Sequence, residues 1–113
     1  MPAIVRMTRP KIKITVLKIV DPSVIFDGGV PNGPGTDEKY TVCTWCEEGQ
    51  EWISENGRMP EGFYNWAWRD IHKDLSILRF GGNVTPWMEE REMITCCTDG
   101  VRPVSFKMER GED

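Results

Sequence analysis

No run of apolar residues in this chain approaches the roughly 20 that a helix needs to cross a bilayer, which excludes a membrane span of that kind. Positive charge is scarce as well. Lys and Arg number 14 against 18 Asp and Glu, a net charge of −4, and such a chain lacks the basic face with which nucleic acid is gripped. There is no Gly-rich phosphate loop, no internal repeat and no low-complexity tract. The opening stretch, "MPAIVRMTRPKIKITVLKIV", has the look of a secretory leader, but Arg6, Arg9, Lys11, Lys13 and Lys18 interrupt any apolar core of one. The expectation is a cytoplasmic protein whose four cysteines stay reduced instead of forming a disulfide framework. At 113 residues the chain holds one domain with a core of moderate size.

What is present begins with alternation. In "KIKITVLKIV", Ile12, Ile14 and Val16 alternate with Lys11, Lys13 and Thr15, the period of a half-buried strand. The stretch over about 21–39 is rich in Gly, Pro, Asn and Asp without periodicity, and reads as one long loop. Loops of that length in a small domain are commonly functional. "YTVCTWC" and "GQEWIS" read as a second and a third strand, and "ENGRMPEG" as a turn. A helix follows over about 61–80, with Pro60-Glu61 at its start and Gly81-Gly82 at its end. At about 100° per residue, Phe63, Tyr64, Ala67, Trp68, Ile71, Leu75 and Leu78 share one arc. Asn65, Arg69, His72, Lys73, Ser76 and Arg79 share the opposite one, and Trp66, Asp70, Asp74 and Ile77 lie on the margin. The fold predicted is α+β: a small, mainly antiparallel sheet of about four or five strands with one long helix packed across it.

A hairpin closes the chain, over about 93–109. Its Asp99-Gly100 pair fits a three-residue loop, Thr98-Asp99-Gly100, with Gly in the left-handed position. That loop sets Cys97 opposite Val101, Cys96 opposite Arg102 and Ile94 opposite Val104. One face then carries Ile94, Cys96, Arg102, Val104, Phe106 and Met108, and the other Thr95, Cys97, Val101, Pro103 and Ser105. Neighbouring strand residues point to opposite faces, so Cys96 and Cys97 are not co-ligands of one metal. Their α-carbons, about 3.8 Å apart, are too close for an ordinary disulfide. One thiol faces inward and the other outward.

"MPEGFYNWAWRDIHKDL", "FGGNVTPW" and "ITCCTDGVRPVSFKMER", spread over roughly Met59 to Arg110, carry a resemblance. Together they are similar to a family of small uncharacterised, mostly prokaryotic conserved proteins with the pattern "MPEGFxxWAWxDI…GGNxxPW…CCTDGxRPVxFKxER". The resemblance implies a shared fold and brings no established activity. Many relatives carry a cysteine shortly before "WAW", where this chain has Tyr64-Asn65. The long Gly/Pro loop is a further departure.

The residues that can carry chemistry fall into two sets. Asp70 sits on the helix margin beside Trp66, where a partly buried carboxyl can act as general acid or base. Cys96, facing Arg102 across the hairpin, is the candidate thiol nucleophile, and Arg102 the binder of an anion or carbonyl. Phe63, Trp66, Trp87 and Cys97 are candidate walls for a substrate. The expectation drawn from this set is a small-molecule-binding domain, an enzyme of the cofactor-free isomerase, cyclase or lyase type. Its site lies between the helix margin and the hairpin, under the long loop, and its partner is a small organic molecule. The second set is Cys43-Thr44-Trp45-Cys46, a CxxC. With one of the hairpin cysteines, Cys96 or Cys97, as third ligand, and His72 or water as fourth, Cys43 and Cys46 would make a zinc or iron centre, or the hairpin pair and the CxxC a thiol-redox protein. A thioredoxin-like use requires a helix after the motif, and "EEGQEW" reads instead as turn and strand. The plainest alternative is a structural partner subunit. In that reading Asp99 is a turn residue, His72 is solvated, and Asp74 belongs to an ion pair.

Overall fold

The computed structural model describes residues 9–111. The elements run β1 (Ile12–Ile19), α1 (Pro22–Phe26), β2 (Glu51–Ser54), α2 (Asn65–Arg79), β3 (Glu92–Cys96) and β4 (Val104–Arg110). The four strands form one antiparallel sheet in the order β2-β1-β4-β3, with α2 packed on one face, so the class is α+β. Among the described residues no helix is long and apolar enough to cross a membrane.

Alternation builds the sheet as expected. Ile12, Ile14 and Val16 of β1 and Val104, Phe106 and Met108 of β4 all point inward and are buried. They meet Ala67, Ile71, Leu75 and Leu78 from α2 in one core. The other face carries ion pairs at its surface, such as Lys13 with Glu51 and Glu109 and the half-buried pair of Lys107 with Glu92. Pairs of that kind add little stability, and their part here is to keep the open face polar. Arg110 ties sheet to helix: its guanidinium donates to the carbonyls of Leu78 and Gly82 and to Asn83 Oδ1, closing the C-terminal end of α2. Gly81, with φ of 89°, takes the left-handed position that ends the helix.

Four sequence expectations are corrected. The helix spans 15 residues and starts at Asn65, because Gly62 holds a φ of 83° that no helix can continue through, and Pro60 to Gly62 turn instead. The 21–39 stretch is not wholly irregular. Asp21 caps the short α1 by accepting from the Ser23 N–H, and Asn32 pairs with Lys39 in an isolated bridge. "YTVCTWC" is no strand: it bends at Trp45 and Cys46 and folds over the end of the core, so of the two strands expected there only β2 forms.

The fourth correction is the hairpin register. Cys96 lies opposite Ser105 and Ile94 opposite Lys107, a displacement of three from the expected pairing with Arg102 and Val104. An odd displacement exchanges the faces. Cys97 therefore points into the core and Cys96 out to solvent, the reverse of the expected sides. The cause is local. Asp99 Oδ1 accepts the backbone N–H groups of Val101 and Arg102 at 2.9 and 3.0 Å, and Pro103 has none to give. The first ladder bond after the turn is Cys97 N–H to the Val104 carbonyl, at 3.1 Å. Residues Thr98 to Pro103 become a wide loop instead of a tight turn.

Truncating Leu75 to Ala, in the centre of the helix–sheet core, is expected to cost about 2–5 kcal/mol in urea unfolding. His72→Ala and Trp87→Ala, both at exposed positions, should each stay within about 0.5 kcal/mol of the parent. A large loss from His72→Ala would mean that the helix faces have been assigned the wrong way round.

Candidate functional site

The wide hairpin loop leaves room beside the start of α2. A cavity of about 480 Å³ opens there, bounded by the loop residues Cys97 to Gly100 and Arg102, by Tyr64, Trp66 and Ala67, and by Cys43 to Trp45. Three stretches that are far apart in sequence thus converge on one space. Each has a local reason for its place. Tyr64 lies just before the first turn of α2, where Gly62 has turned the chain. Trp45 is anchored from behind by an aromatic cluster, stacked on Trp52 at 5.5 Å and edge-on to Phe63 at 5.2 Å. Contacts of this geometry add to simple burial and fix the ring planes.

The loop itself is held by Asp70. Its carboxylate accepts the Thr98 backbone N–H at 2.7 Å and the Thr98 hydroxyl at 3.0 Å, while Trp66 Nε1 donates to that same hydroxyl oxygen at 3.1 Å. Helix and loop are thereby joined through one threonine. Charge-assisted bonds of this kind are stronger than neutral ones. At the rim, Arg102 lies over the Tyr40 ring at 5.4 Å and pairs through Nε with Asp99 Oδ2 at 3.3 Å. Burial by itself would raise the Asp99 carboxyl. The N–H groups of Arg102 and Val101 and the guanidinium charge outweigh it, and the carboxyl lies below its ordinary range. Asp99 is ionised near neutral pH.

Of the residues expected in the site, Trp66, Cys97 and Arg102 line the cavity. Asp70 stands behind its wall and reaches it through Thr98. The other three are elsewhere. Cys96 is exposed on the outer side of the sheet, Phe63 is buried in the aromatic core, and Trp87 is 74% exposed on the connection between α2 and β3. No residue of the 21–39 stretch lines the cavity; Tyr40, just beyond it, lies under the Arg102 guanidinium. Sequence reasoning missed Trp45, Tyr64 and Thr98 as walls. For Thr98 a signal existed: a threonine next to Asp-Gly is well suited to meet a carboxylate from another element.

The thiols are divided. Cys43 borders the cavity, half-buried; Cys46 is buried behind it, and Cys97 packs in the same core cluster. Burial pushes the Cys46 thiol up to about 12, with the nearby Cys43 and Cys97 sulfurs adding to the effect. Burial also raises Cys97, only partly offset by N–H groups, one of them from Val104 at 3.3 Å. The trio of Cys43, Cys46 and Cys96 is not assembled, because the register places Cys97, not Cys96, on their side. His72 is exposed against Trp68, its ring 5.2 Å away. Among the described residues no three His, Cys, Asp or Glu side chains are arranged to hold a metal ion.

Comparison with family models, with curated proteins and with solved structures gives no match.

Two outcomes check this geometry. In brief alkylation followed by mass spectrometry, Cys96 is expected to label well before Cys97; equal rates would contradict the observed register. Asp70→Ala should cost about 1–2 kcal/mol, since the Thr98 N–H and hydroxyl lose a charged acceptor that water only partly replaces. Amide exchange should then accelerate at Thr98 and leave the centre of the sheet unaffected.

Proposed function

We propose that the cavity between the start of α2 and the 98–103 loop binds a small organic molecule, flat and largely apolar, with a carboxylate or similar anionic group. The observation that carries this reading is the meeting of three aromatic side chains, Trp45, Tyr64 and Trp66, with one guanidinium, Arg102, around a space of about 480 Å³. Small-ligand sites have volumes of about 300–1,000 Å³ and combine apolar walls with a few polar groups that fix orientation. Tyr64 and Trp66 are 52% and 57% exposed, so their rings are still open to be covered. Asp99 engages Arg102 through Nε, which leaves the Nη edge of the fork to meet a ligand anion.

Binding is better supported than turnover. A cofactor-free isomerase, cyclase or lyase needs a group that exchanges a proton near neutral pH. Both Asp70 oxygens are committed to Thr98, and Asp99 is held ionised by Arg102 and two N–H groups. In this reading Asp70 is a positioning residue that fixes the loop. A cytoplasmic location, free of nucleic acid and membrane, completes the proposal and accords with the charge of −4.

Indole-3-acetate and phenylacetate, each beside its neutral amide, are suitable probes, followed by tryptophan fluorescence and by chemical shifts of the 98–103 amides. The acids are expected to bind more tightly than the amides. Arg102→Gln should remove that preference, a change on the order of tenfold, or about 1.4 kcal/mol. Equal binding of acid and amide by the parent protein, or no shift at the 98–103 amides, would sink the proposal.

A further inference from the structure

The pair of thiols in "CTWC" has a gradient of access that the ligand reading does not use. Cys43 is half-buried and borders the cavity, within reach of what enters it. Cys46 is buried, and packs in the core directly behind. The chain bends at Trp45 and Cys46, and both cysteines pack against the same core cluster. Cys97 shares that cluster but is anchored at the end of β3, its sulfur accepting the Val104 N–H. Cys96 is on the other side of the sheet.

We propose that Cys43 and Cys46 form a redox-active dithiol, Cys43 meeting an outside disulfide at the cavity and Cys46 closing the internal bond from behind. In the first step the Cys43 thiolate attacks one sulfur of a small disulfide, R–S–S–R. That S–S bond breaks, Cys43–S–S–R forms, and the released RS⁻ takes up the proton that Cys43 gave. In the second step the Cys46 sulfur attacks the Cys43 sulfur. The second RS⁻ leaves with the proton from Cys46, and the Cys43–Cys46 bond remains. Two electrons pass from the two cysteines to the small disulfide, and nothing else is consumed.

A low-dielectric wall and neighbouring sulfurs keep Cys46 a neutral thiol, as its raised titration shows, so it closes the internal bond slowly. The buried sulfur is also shielded from outside reagents, and only a mixed disulfide on Cys43 comes within its reach. The motif leads into a turn and β2, with no helix following it. Activation by a helix N-terminus is therefore missing, and the pair fits a stoichiometric switch better than a fast exchange catalyst.

The test uses the full chain with Cys96→Ser, which removes the exposed thiol, and oxidised glutathione as the probe. After exchange, acid quenching and unfolding, the sites still open to alkylation are mapped by mass spectrometry. Cys43 and Cys46 are expected to disappear from the labelled set and reappear in one glutathione-free cross-linked peptide, reversed by dithiothreitol. Adding Cys46→Ser should stall the reaction as a glutathione adduct on Cys43. Three results would overturn the inference: both thiols staying reduced, a bond from either one to Cys97, or a stoichiometric zinc ion that protects both. Mapping on the Cys96→Ser protein alone decides between these outcomes even if Cys46→Ser does not fold.

Discussion

Asp70 reaches from the margin of α2 to the Thr98 backbone N–H and hydroxyl, and much of the molecule's character depends on that reach. Asp99 does the same within the loop, taking the N–H groups of Val101 and Arg102. Backbone donors that a tight hairpin would have paired across its strands go to carboxylates instead. The loop between β3 and β4 widens, the ladder starts at Cys97 and Val104, and the register follows. Because side chains alternate along a strand, that one choice decides which of two adjacent cysteines is inside. It also opens the space that becomes the cavity.

A second constraint acts from below. Phe106 and Val16 oppose one another at the centre of the sheet, and Phe106 underlies the ring cluster of Trp45 and Phe63. The cluster keeps the 40–50 segment against the end of the core although that segment forms no strand before Glu51. Bringing the CxxC to the cavity thus combines aromatic burial at Trp45 with the backbone bonds that tie Gly49 and Gln50, just beyond it, to Val16. The cavity wall is aromatic for the same reason: Trp45 has one side in the cluster and another facing the opening.

The parts that were legible in sequence are those with a strong period. β1, the inner face of β4 and the apolar arc of α2 were readable, since Ile12, Ile14, Val16, Ala67, Ile71, Leu75 and Leu78 repeat at the spacing their elements require. The polar arc was readable too, and His72 is solvated as expected. The site was only half legible. Trp66, Cys97 and Arg102 were picked out and do line the cavity, whereas Cys96, Phe63 and Trp87 do not. Cys96 was misplaced because Asp-Gly is the usual tight-turn pair, and a turn rule contains no term for a carboxylate arriving from 28 residues away. Phe63 and Trp87 were misplaced because aromatic content does not distinguish a wall from a core residue or from an exposed ring.

By itself the sequence determined the class of the fold, the inward faces of β1 and β4 and the helix stripe that covers them. Those are consequences of hydrophobic period, and period is written locally. Tertiary structure decided the register of the last hairpin and the convergence of Cys43, Trp45, Trp66, Cys97 and Arg102 on one space. Each of these depends on a competition between a local preference and a partner from elsewhere in the chain. At Thr98 the local turn lost to the Asp70 carboxylate, and at Trp45 the expected strand lost to an aromatic cluster. Such partners meet only when the chain is folded, and no local pattern records them.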